Sequence, residues 1–232
     1  MSFSNFTYLI LMLASVAVPL AMSFEKNISY VKKWKYLVPA IVLPGIIFIV
    51  WDIYFTKMGI WSFNSNYVTG LYIAHLPIEE WSFFVVIPFC CIFIYEVLKY
   101  YLKPLRNEIV LKLLLYVVVF ASSILAIYNY AQTYTFVTLL LIAIFTIIVL
   151  NTAILYKKLA HMLLAFAISC VPMFIVNGVL TSFPVVEYNS QYFSNLRLGT
   201  IPIEDFAYFF LLLIMNVFVY EFFQFRNKKK SQ

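Results

Sequence analysis

Charged residues are scarce in this chain: they make up 11% of its 232 residues, whereas 64% are hydrophobic. A soluble domain of this length could not bury so much apolar surface, so the composition indicates an integral membrane protein. The five glycines form no glycine-rich phosphate-binding motif, which excludes a dinucleotide-binding unit and a P-loop. The two histidines lie far apart and the three cysteines lack CxxC spacing, so we expect no metal site.

Long hydrophobic runs predict seven transmembrane helices, since one crossing needs about 20 residues. The runs cover residues 5–23, 36–54, 77–98, 110–130, 135–156, 160–180 and 202–224. The first run has neither a basic flank before it nor a small-residue cleavage site, so we interpret it as a span and not as a signal peptide.

Lysine and arginine residues alternate between the two sides of these predicted helices. Fourteen of the 16 fall on one side: Lys26, Lys32, Lys33, Lys35, Lys99, Lys103, Arg106, Lys112, Lys157, Lys158, Arg226, Lys228, Lys229 and Lys230. Only Lys57 and Arg197 fall on the other. The positive-inside rule then predicts a multi-pass protein of the cytoplasmic membrane, with its N-terminus outside and its C-terminus in the cytoplasm. The basic tail is interpreted as a topological flank, and no nucleic-acid partner is expected.

An internal repeat relates the two halves of the sequence. A shift of 125 residues, without a gap, aligns 52–96 with 177–221 and makes 12 of 45 positions identical. "FNSNY" falls on "YNSQY", "LPIEEW" on "IPIEDF", and the second "YE" pair on the first. Polar identities in register indicate a genuine duplication, because a skewed apolar composition would match only hydrophobic residues.

The repeat predicts an all-α membrane fold in a 3+1+3 arrangement. We expect a first three-helix repeat in 1–106, a linking helix in 107–131 and a second three-helix repeat in 132–232. A repeat with an odd number of helices, followed by one linking helix, is copied in the same orientation. The two copies are then related by an axis along the membrane normal. Both acidic motifs then begin helices at the same membrane depth. Four carboxylates can therefore converge near the axis: Glu79, Glu80, Glu204 and Asp205.

The paired acids admit two interpretations. Pro77 and Pro202 suit the start of a helix, so the acids could simply cap that helix and favour its positive dipole end. However, intramembrane acids are functional candidates, and these occur doubled in both halves. Clustered carboxyl groups in a low-dielectric site cannot all ionise cheaply, so one would hold a proton. Such a neutral acid could protonate an alkene, and an ionised neighbour could then remove a proton.

Aromatic and polar residues near the motifs supply candidate binding groups. Aromatic faces stabilise cations in dry surroundings, and the rings within a turn of the motifs are Trp81, Phe84, Phe206 and Phe209. Asp52 ends the second predicted helix and is equivalent to Asn177, so this pair either lines a cavity or marks the membrane interface.

The doubled PxE motif at matched helix starts resembles the non-flavoprotein lycopene cyclases of carotenoid biosynthesis. These occur as two subunits in actinobacteria and as fused forms, and this sequence is similar to a fused form over nearly its whole length. It departs from the family pattern at Asp205, where glutamate or glutamine is usual.

The resemblance implies cyclisation of the linear ends of lycopene to β-ionone rings through a carbocation. That reaction is redox-neutral and is expected to need no cofactor. Its implied partners are a carotenoid substrate taken from the bilayer, membrane lipid and enzymes of the same pathway. On this basis we expect Glu79 and Glu204 to be the primary acid/base pair, with Glu80 and Asp205 tuning them or sharing the proton.

Other functions stay open at the level of sequence. Small 3+1+3 transporters share this topology and would need a polar path near the membrane centre. A structural subunit would use the acids only as helix caps, and a related cyclase could act on C50 or other carotenoid end groups.

Overall fold

The computed structural model describes residues 3–103, 108–152, 154–155 and 158–230, with side chains to 227. Seven helices in these ranges are long and apolar enough to cross a membrane, which confirms the predicted fold class. The helices are α1 (Thr7–Met22), α2 (Trp34–Lys57), α3 (Ile78–Tyr101), α4 (Glu108–Tyr128), α5 (Thr133–Leu150), α6 (Leu159–Ser182) and α7 (Ile203–Lys230). Short 3-10 turns precede α1 and α2 at Phe3–Phe6 and Tyr30–Lys33.

Two helix ends differ most from the predicted bounds. Helix α5 stops at Leu150, although the apolar run was extended to 156, because polar side chains fold back onto its last turn. Asn151 Nδ2 donates to the Ile147 carbonyl at 2.9 Å, and Thr152 Oγ1 donates to the Val149 carbonyl at 3.0 Å. Helix α7 continues past 224 to Lys230, since a helix need not end where its apolar run ends.

The helices pack as two equivalent sets of three. Helix α1 packs on α3 as α5 packs on α7, and α2 packs on α7 as α6 packs on α3. Helices α3 and α7 meet at the centre, while α4 lies mainly against α5. Among the spans, α7 is the most buried, with 61% of its apolar window inside the fold against 11% for α1. The motif-bearing helices therefore form the core of a pseudo-twofold bundle.

The loops before α3 and α7 contain short strands that the sequence did not indicate. These are β1 (Trp61–Phe63), β2 (Tyr72–Ile73), β3 (Leu76–Pro77), β4 (Val186–Tyr188), β5 (Arg197–Leu198) and β6 (Ile201–Pro202). Strands β2–β3 and β5–β6 form tight hairpins, whereas β1 pairs with β4 antiparallel and places Trp61 opposite Tyr188. The β1–β4 pair joins the two repeats directly.

The bundle has two chemically different ends. We call the end where α3 and α7 begin the motif end, and the opposite end the basic end. The basic end carries Lys33, Lys99 and Lys158, in agreement with the predicted segregation of lysines. The predicted flank residues Arg106 and Lys157 lie outside the described residues.

Candidate active site

The structure brings all four motif acids together at the motif end. Helices α3 and α7 begin immediately after Pro77 and Pro202, so the acids occupy their first turns. All four are buried: Glu79, Glu80, Glu204 and Asp205. Among the described residues, no lysine or arginine forms an ion pair with any of them. Buried carboxyl groups without a cation are costly, which favours a role in chemistry.

Glu79 and Glu204 turn away from the helix axis and bind the preceding loop. The Thr69 backbone N–H donates to Glu79 Oε1 at 2.7 Å, and the Ser194 N–H donates to Glu204 Oε1 at 2.8 Å. Each bond joins residues ten positions apart. Thr69 is equivalent to Ser194 and Glu79 to Glu204, so the same bond occurs in both repeats. Thr135 Oγ1 also donates to Glu204, at 2.6 Å. These two acids fasten the loops that precede their helices.

Glu80 and Asp205 face the opposite way, toward a tyrosine from another helix. The Tyr8 hydroxyl of α1 donates to Glu80 Oε2 at 2.6 Å. The Tyr134 hydroxyl of α5 donates to Asp205 Oδ1 at 2.7 Å. Helices α1 and α5 are equivalent in the two repeats, so each repeat builds the same tyrosine–carboxyl pair.

Asp52 and Asn177 make the two pairs chemically unequal. Asn177 Nδ2 donates to Asp205 Oδ2 at 2.6 Å. The equivalent position holds Asp52, which lines the same cavity as Glu80, so here a carboxyl group takes the place of the amide. Trp61 Nε1 donates to Asp52 Oδ1 at 2.6 Å, while Asp52 Oδ2 has no hydrogen-bond donor among the described residues.

A second tyrosine increases the difference between the two halves. The Tyr188 hydroxyl donates to Asp205 Oδ2 at 2.8 Å, whereas the equivalent residue, Phe63, has no hydroxyl. Burial and, secondarily, the Asp205 carboxylate raise the pKa of Tyr188 well above its ordinary value, so it stays a donor. Asp205 thus accepts three hydrogen bonds from neutral donors, which favours its ionised form.

These groups open into one cavity of about 340 Å³, within the size range of ligand pockets. Asp52, Glu80, Asn177 and Asp205 are polar members of its wall. Most of the remaining wall is apolar or aromatic and includes Leu11, Trp61, Phe63, Phe83, Ile87, Ile94, Met173, Val176, Leu180, Tyr208, Phe209 and Leu212. The cavity therefore suits a hydrocarbon that meets carboxyl groups at one end.

Several predicted site residues lie outside this wall. Glu79 and Glu204 do not line the cavity, and neither do Trp81, Phe84 and Phe206. The reason is helical geometry: Glu80, Phe83 and Ile87 recur on one face of α3 and point inward. Neighbours one position away point elsewhere; Trp81 Nε1, for example, donates to the Ile73 carbonyl at 3.2 Å. Of the four predicted rings, only Phe209 lines the cavity.

The cavity also contains residues that sequence reasoning missed. Tyr8 and Tyr134 are equivalent in the duplication, but their separation is 126 residues and not 125. An ungapped alignment limited to 52–96 could not reveal them. Trp61 and Tyr188 come from the β1–β4 pair, which forms only when the two repeats meet. A gapped alignment extended to the first helix would have found the tyrosine pair.

The fold and this cavity define a multi-pass membrane protein built from two parallel repeats, with a shared carboxyl-lined site at one end. The family model described as lycopene cyclase matches residues 5–98 and again 131–223, one match for each repeat. The chain belongs to the lycopene cyclase family, and its role is that of a carotenoid cyclase. Comparison with curated proteins gives no match, and neither does comparison with solved structures.

Proposed function

We propose that the chain is a lycopene β-cyclase that converts linear ψ-ends of lycopene to β-ionone rings by acid/base chemistry. The observation that carries this proposal is the placement of Asp52, Glu80 and Asp205 in the wall of an otherwise largely apolar cavity. The reaction is an isomerisation, so it requires proton transfer and cation stabilisation but no oxidant or reductant. An acyclic carotenoid of another length, such as a C50 compound, is the alternative substrate.

The proposed sequence begins with transfer of a proton to C2 of the ψ-end, which leaves a tertiary cation at C1. The C5–C6 double bond then attacks through C6, so that a C6–C1 bond forms and the cation moves to C5. Loss of the C6 proton restores a double bond between C5 and C6. One proton is added and one is removed, and the enzyme returns to its starting charge.

We assign the proton donor to Glu80 acting with Asp52. Two carboxyl groups in the wall of one largely apolar cavity cannot both ionise cheaply, so the pair retains a proton. Such a pair titrates as a unit, so the proton is shared between the two carboxyl groups between turnovers. Glu80 also touches Tyr8, which fixes the carboxyl group against the cavity.

We assign the proton acceptor to Asp205. Its three hydrogen-bond donors, Tyr134, Asn177 and Tyr188, stabilise the carboxylate form that a base requires. A fixed negative charge also stabilises the cation electrostatically before it removes the C6 proton. Aromatic faces in the wall, such as Trp61 and Phe209, add cation–π stabilisation.

These assignments reverse the order expected from the sequence. Glu79 and Glu204 become positioning residues, since their hydrogen bonds hold the loops that carry β1–β3 and β4–β6. The N–H groups that they bind belong to Thr69 and Ser194 in the preceding loops and not to their own helices. Their contribution is to fix these loops and the helix starts from which Glu80 and Asp205 project.

The transporter alternative receives less support. It needs polar groups along a path through the membrane centre. Away from the carboxyl groups, the wall is dominated by residues such as Leu11, Ile94 and Leu212. A hydrocarbon-binding pocket fits this distribution better than a hydrophilic path does.

The test is expression in a bacterium that accumulates lycopene, with pigments separated by chromatography. We expect γ-carotene or β-carotene to appear with the wild-type chain and lycopene to persist with the Glu80→Gln variant at equal membrane levels. Unchanged lycopene in cells that contain abundant folded wild-type protein would overturn the proposal. Supplying an acyclic C50 carotenoid to the same membranes tests whether the chain cyclises that substrate instead of lycopene.

We also propose that the protein resides in the cytoplasmic membrane with its motif end outside. The segregation of lysines to the basic end supports this orientation. Reporter fusions after residue 65 and at the C-terminus should be active in the periplasm and in the cytoplasm, respectively. The opposite pattern would reverse the assignment.

A further inference from the structure

The two repeats are equivalent in fold but not in the grooves between their helices. The cavity runs between α1, α3 and α6, where Leu11, Ile87 and Val176 contribute to its wall. The pseudo-twofold relation places an equivalent groove between α5, α7 and α2. If the symmetry extended to side chains, the protein would have two cavities, one for each repeat.

The groove beside α1 reaches the lipid-facing surface. Ala14 of α1 and Pro172 and Ile175 of α6 line the cavity and are also exposed. Ile175 is 61% exposed, so it cannot be an interior residue in the membrane. We call the gap bounded by these three residues the α1/α6 portal.

The equivalent groove beside α5 is filled by aromatic rings of α2. Phe48, Trp51 and Phe55 occupy the positions equivalent to Met173, Val176 and Leu180 of α6. All three rings are buried, and none of them lines the cavity.

Ring contacts hold this aromatic filling in place. The centroids of Phe48 and Trp51 lie 5.6 Å apart, and those of Trp51 and Phe55 lie 5.4 Å apart. Tyr208 of α7 closes the cluster, with its ring centroid 4.9 Å from Phe48. A substrate would have to break up these ring contacts to use this side.

We propose that a linear polyene reaches the carboxyl groups only through the α1/α6 portal, end-first from the bilayer, and that each binding event exposes one end to the acids. This proposal rests on the proposed function and adds its mode of access. The carboxyl groups in the cavity wall lie together at the motif end, whereas the two ends of an extended linear polyene lie far apart, so only one end can reach these groups at a time. The remainder of the substrate stays in lipid, and its second end is cyclised only after release and rebinding in the reverse direction.

Matched tryptophan substitutions test the portal. Ala14→Trp narrows it, whereas Leu140→Trp places the same ring at the equivalent lipid-facing position of α5, which is 38% exposed. We expect at least a tenfold loss of cyclisation by Ala14→Trp and less than a twofold change by Leu140→Trp. Equal effects of the two substitutions, or none from either, would overturn the proposal. Ile175→Trp provides a second portal variant if Ala14→Trp does not yield folded protein.

A time course tests the one-end-at-a-time consequence without any variant. With lycopene in large excess over enzyme in liposomes, monocyclic product should accumulate in the lipid before any bicyclic product appears. Bicyclic product formed from the start, with no free monocyclic intermediate, would contradict a single portal.

A binding measurement separates failure of the portal from failure of the cyclase assignment. The Glu80→Gln chain, which is expected to bind lycopene without converting it, is purified from lycopene-containing membranes and its pigment-to-protein ratio is measured. Adding Ala14→Trp should lower that ratio at least fivefold, while adding Leu140→Trp should not. If the wild-type chain retains lycopene in this portal-dependent way but never cyclises it, the cyclase assignment fails and the portal stands. If Ala14→Trp leaves lycopene retention unchanged, the proposed portal is wrong.

Discussion

Buried glutamates have opposite kinds of partner at the motif end and at the basic end of the bundle. At the basic end, Glu96 and Glu221 are equivalent in the repeat and nearly inaccessible to solvent. Lys99 bridges them at 2.6 and 2.7 Å, and Lys33 and Lys158 each bind one of them. At the motif end, the carboxyl groups face tyrosines, an asparagine and one another.

The difference supports a structural role for the first set of acids and the proposed proton-transfer role for the second. A carboxylate neutralised by two ammonium groups has no proton to give and little tendency to accept one. The basic cluster joins α3, α6, α7 and the turn before α2, so it locks the helices together. The motif acids lack such partners among the described residues and remain available for proton transfer. Equivalence in the internal repeat does not separate these roles, because both sets place acids at equivalent positions.

The largest expected effect comes from neutralising the acids that face the cavity. Glu80→Gln and Asp205→Asn should each lower turnover about a hundredfold to ten-thousandfold, the usual contribution of a general acid or base. Turnover per folded enzyme is measured by chromatography of the carotenoids. Glu96→Gln is the matched control and should keep turnover within a few-fold. A loss as large in the control would erase the distinction between the two ends.

The second effect is on stability and belongs to the basic end. Glu221→Gln should lower the free energy of unfolding by about 3 kcal/mol, because Lys158 loses its charged partner and Lys99 loses one of two in a mostly buried site. Thermal unfolding in lipid nanodiscs measures this change. Glu80→Gln should leave the melting temperature nearly unchanged. If Glu80→Gln destabilises the protein as much as Glu221→Gln does, the motif acids are structural as well.

A smaller effect tests the asymmetry inside the site. Tyr188→Phe removes one of the three donors to Asp205, at a cost of about 1 kcal/mol, or roughly fivefold in turnover. The measurement is the turnover of the variant divided by that of the wild type, at equal enzyme and substrate concentrations. Tyr72→Phe, an exposed tyrosine at the same end, serves as the control and should have no effect. Identical rates for Tyr188→Phe and the wild type would show that this bond does not support Asp205.

The smallest expected effect comes from the loop-binding acids. Glu79→Gln and Glu204→Gln keep an oxygen that can accept the Thr69 and Ser194 N–H groups, so turnover should fall only about threefold, which corresponds to less than 1 kcal/mol. The assay is the same as for Glu80→Gln. A loss comparable to that of Glu80→Gln would restore Glu79 and Glu204 as the primary acid/base pair.

Much of the fold was predictable because it depends on periodic and compositional signals. Apolar runs gave seven helices, and the repeat placed both acidic motifs at helix starts, which the structure shows at the first turns of α3 and α7. The direction of each acid was not predictable at that level. Adjacent residues on a helix point about 100° apart, so Glu79 and Glu80 face different surroundings.

The rest of the site depends on contacts between distant segments. Tyr8 reaches Glu80 across 72 positions, and Tyr134 reaches Asp205 across 71. No local pattern marks these tyrosines among the 18 in the chain. The β1–β4 pair is equally non-local, since it forms between the two repeats.

The sequence by itself determined a seven-helix membrane bundle with duplicated acids at one end, since hydropathy, charge segregation and the repeat are properties of the linear chain. Only the tertiary structure decided which acids face the cavity, which donors surround each of them, and which groove stays open. The physical reason is that the duplication preserved the backbone arrangement, while substitutions such as Asn177 for Asp52 and Val176 for Trp51 changed hydrogen bonding and volume between helices. Those differences acquire their effect when α2, α3, α6 and α7 pack together.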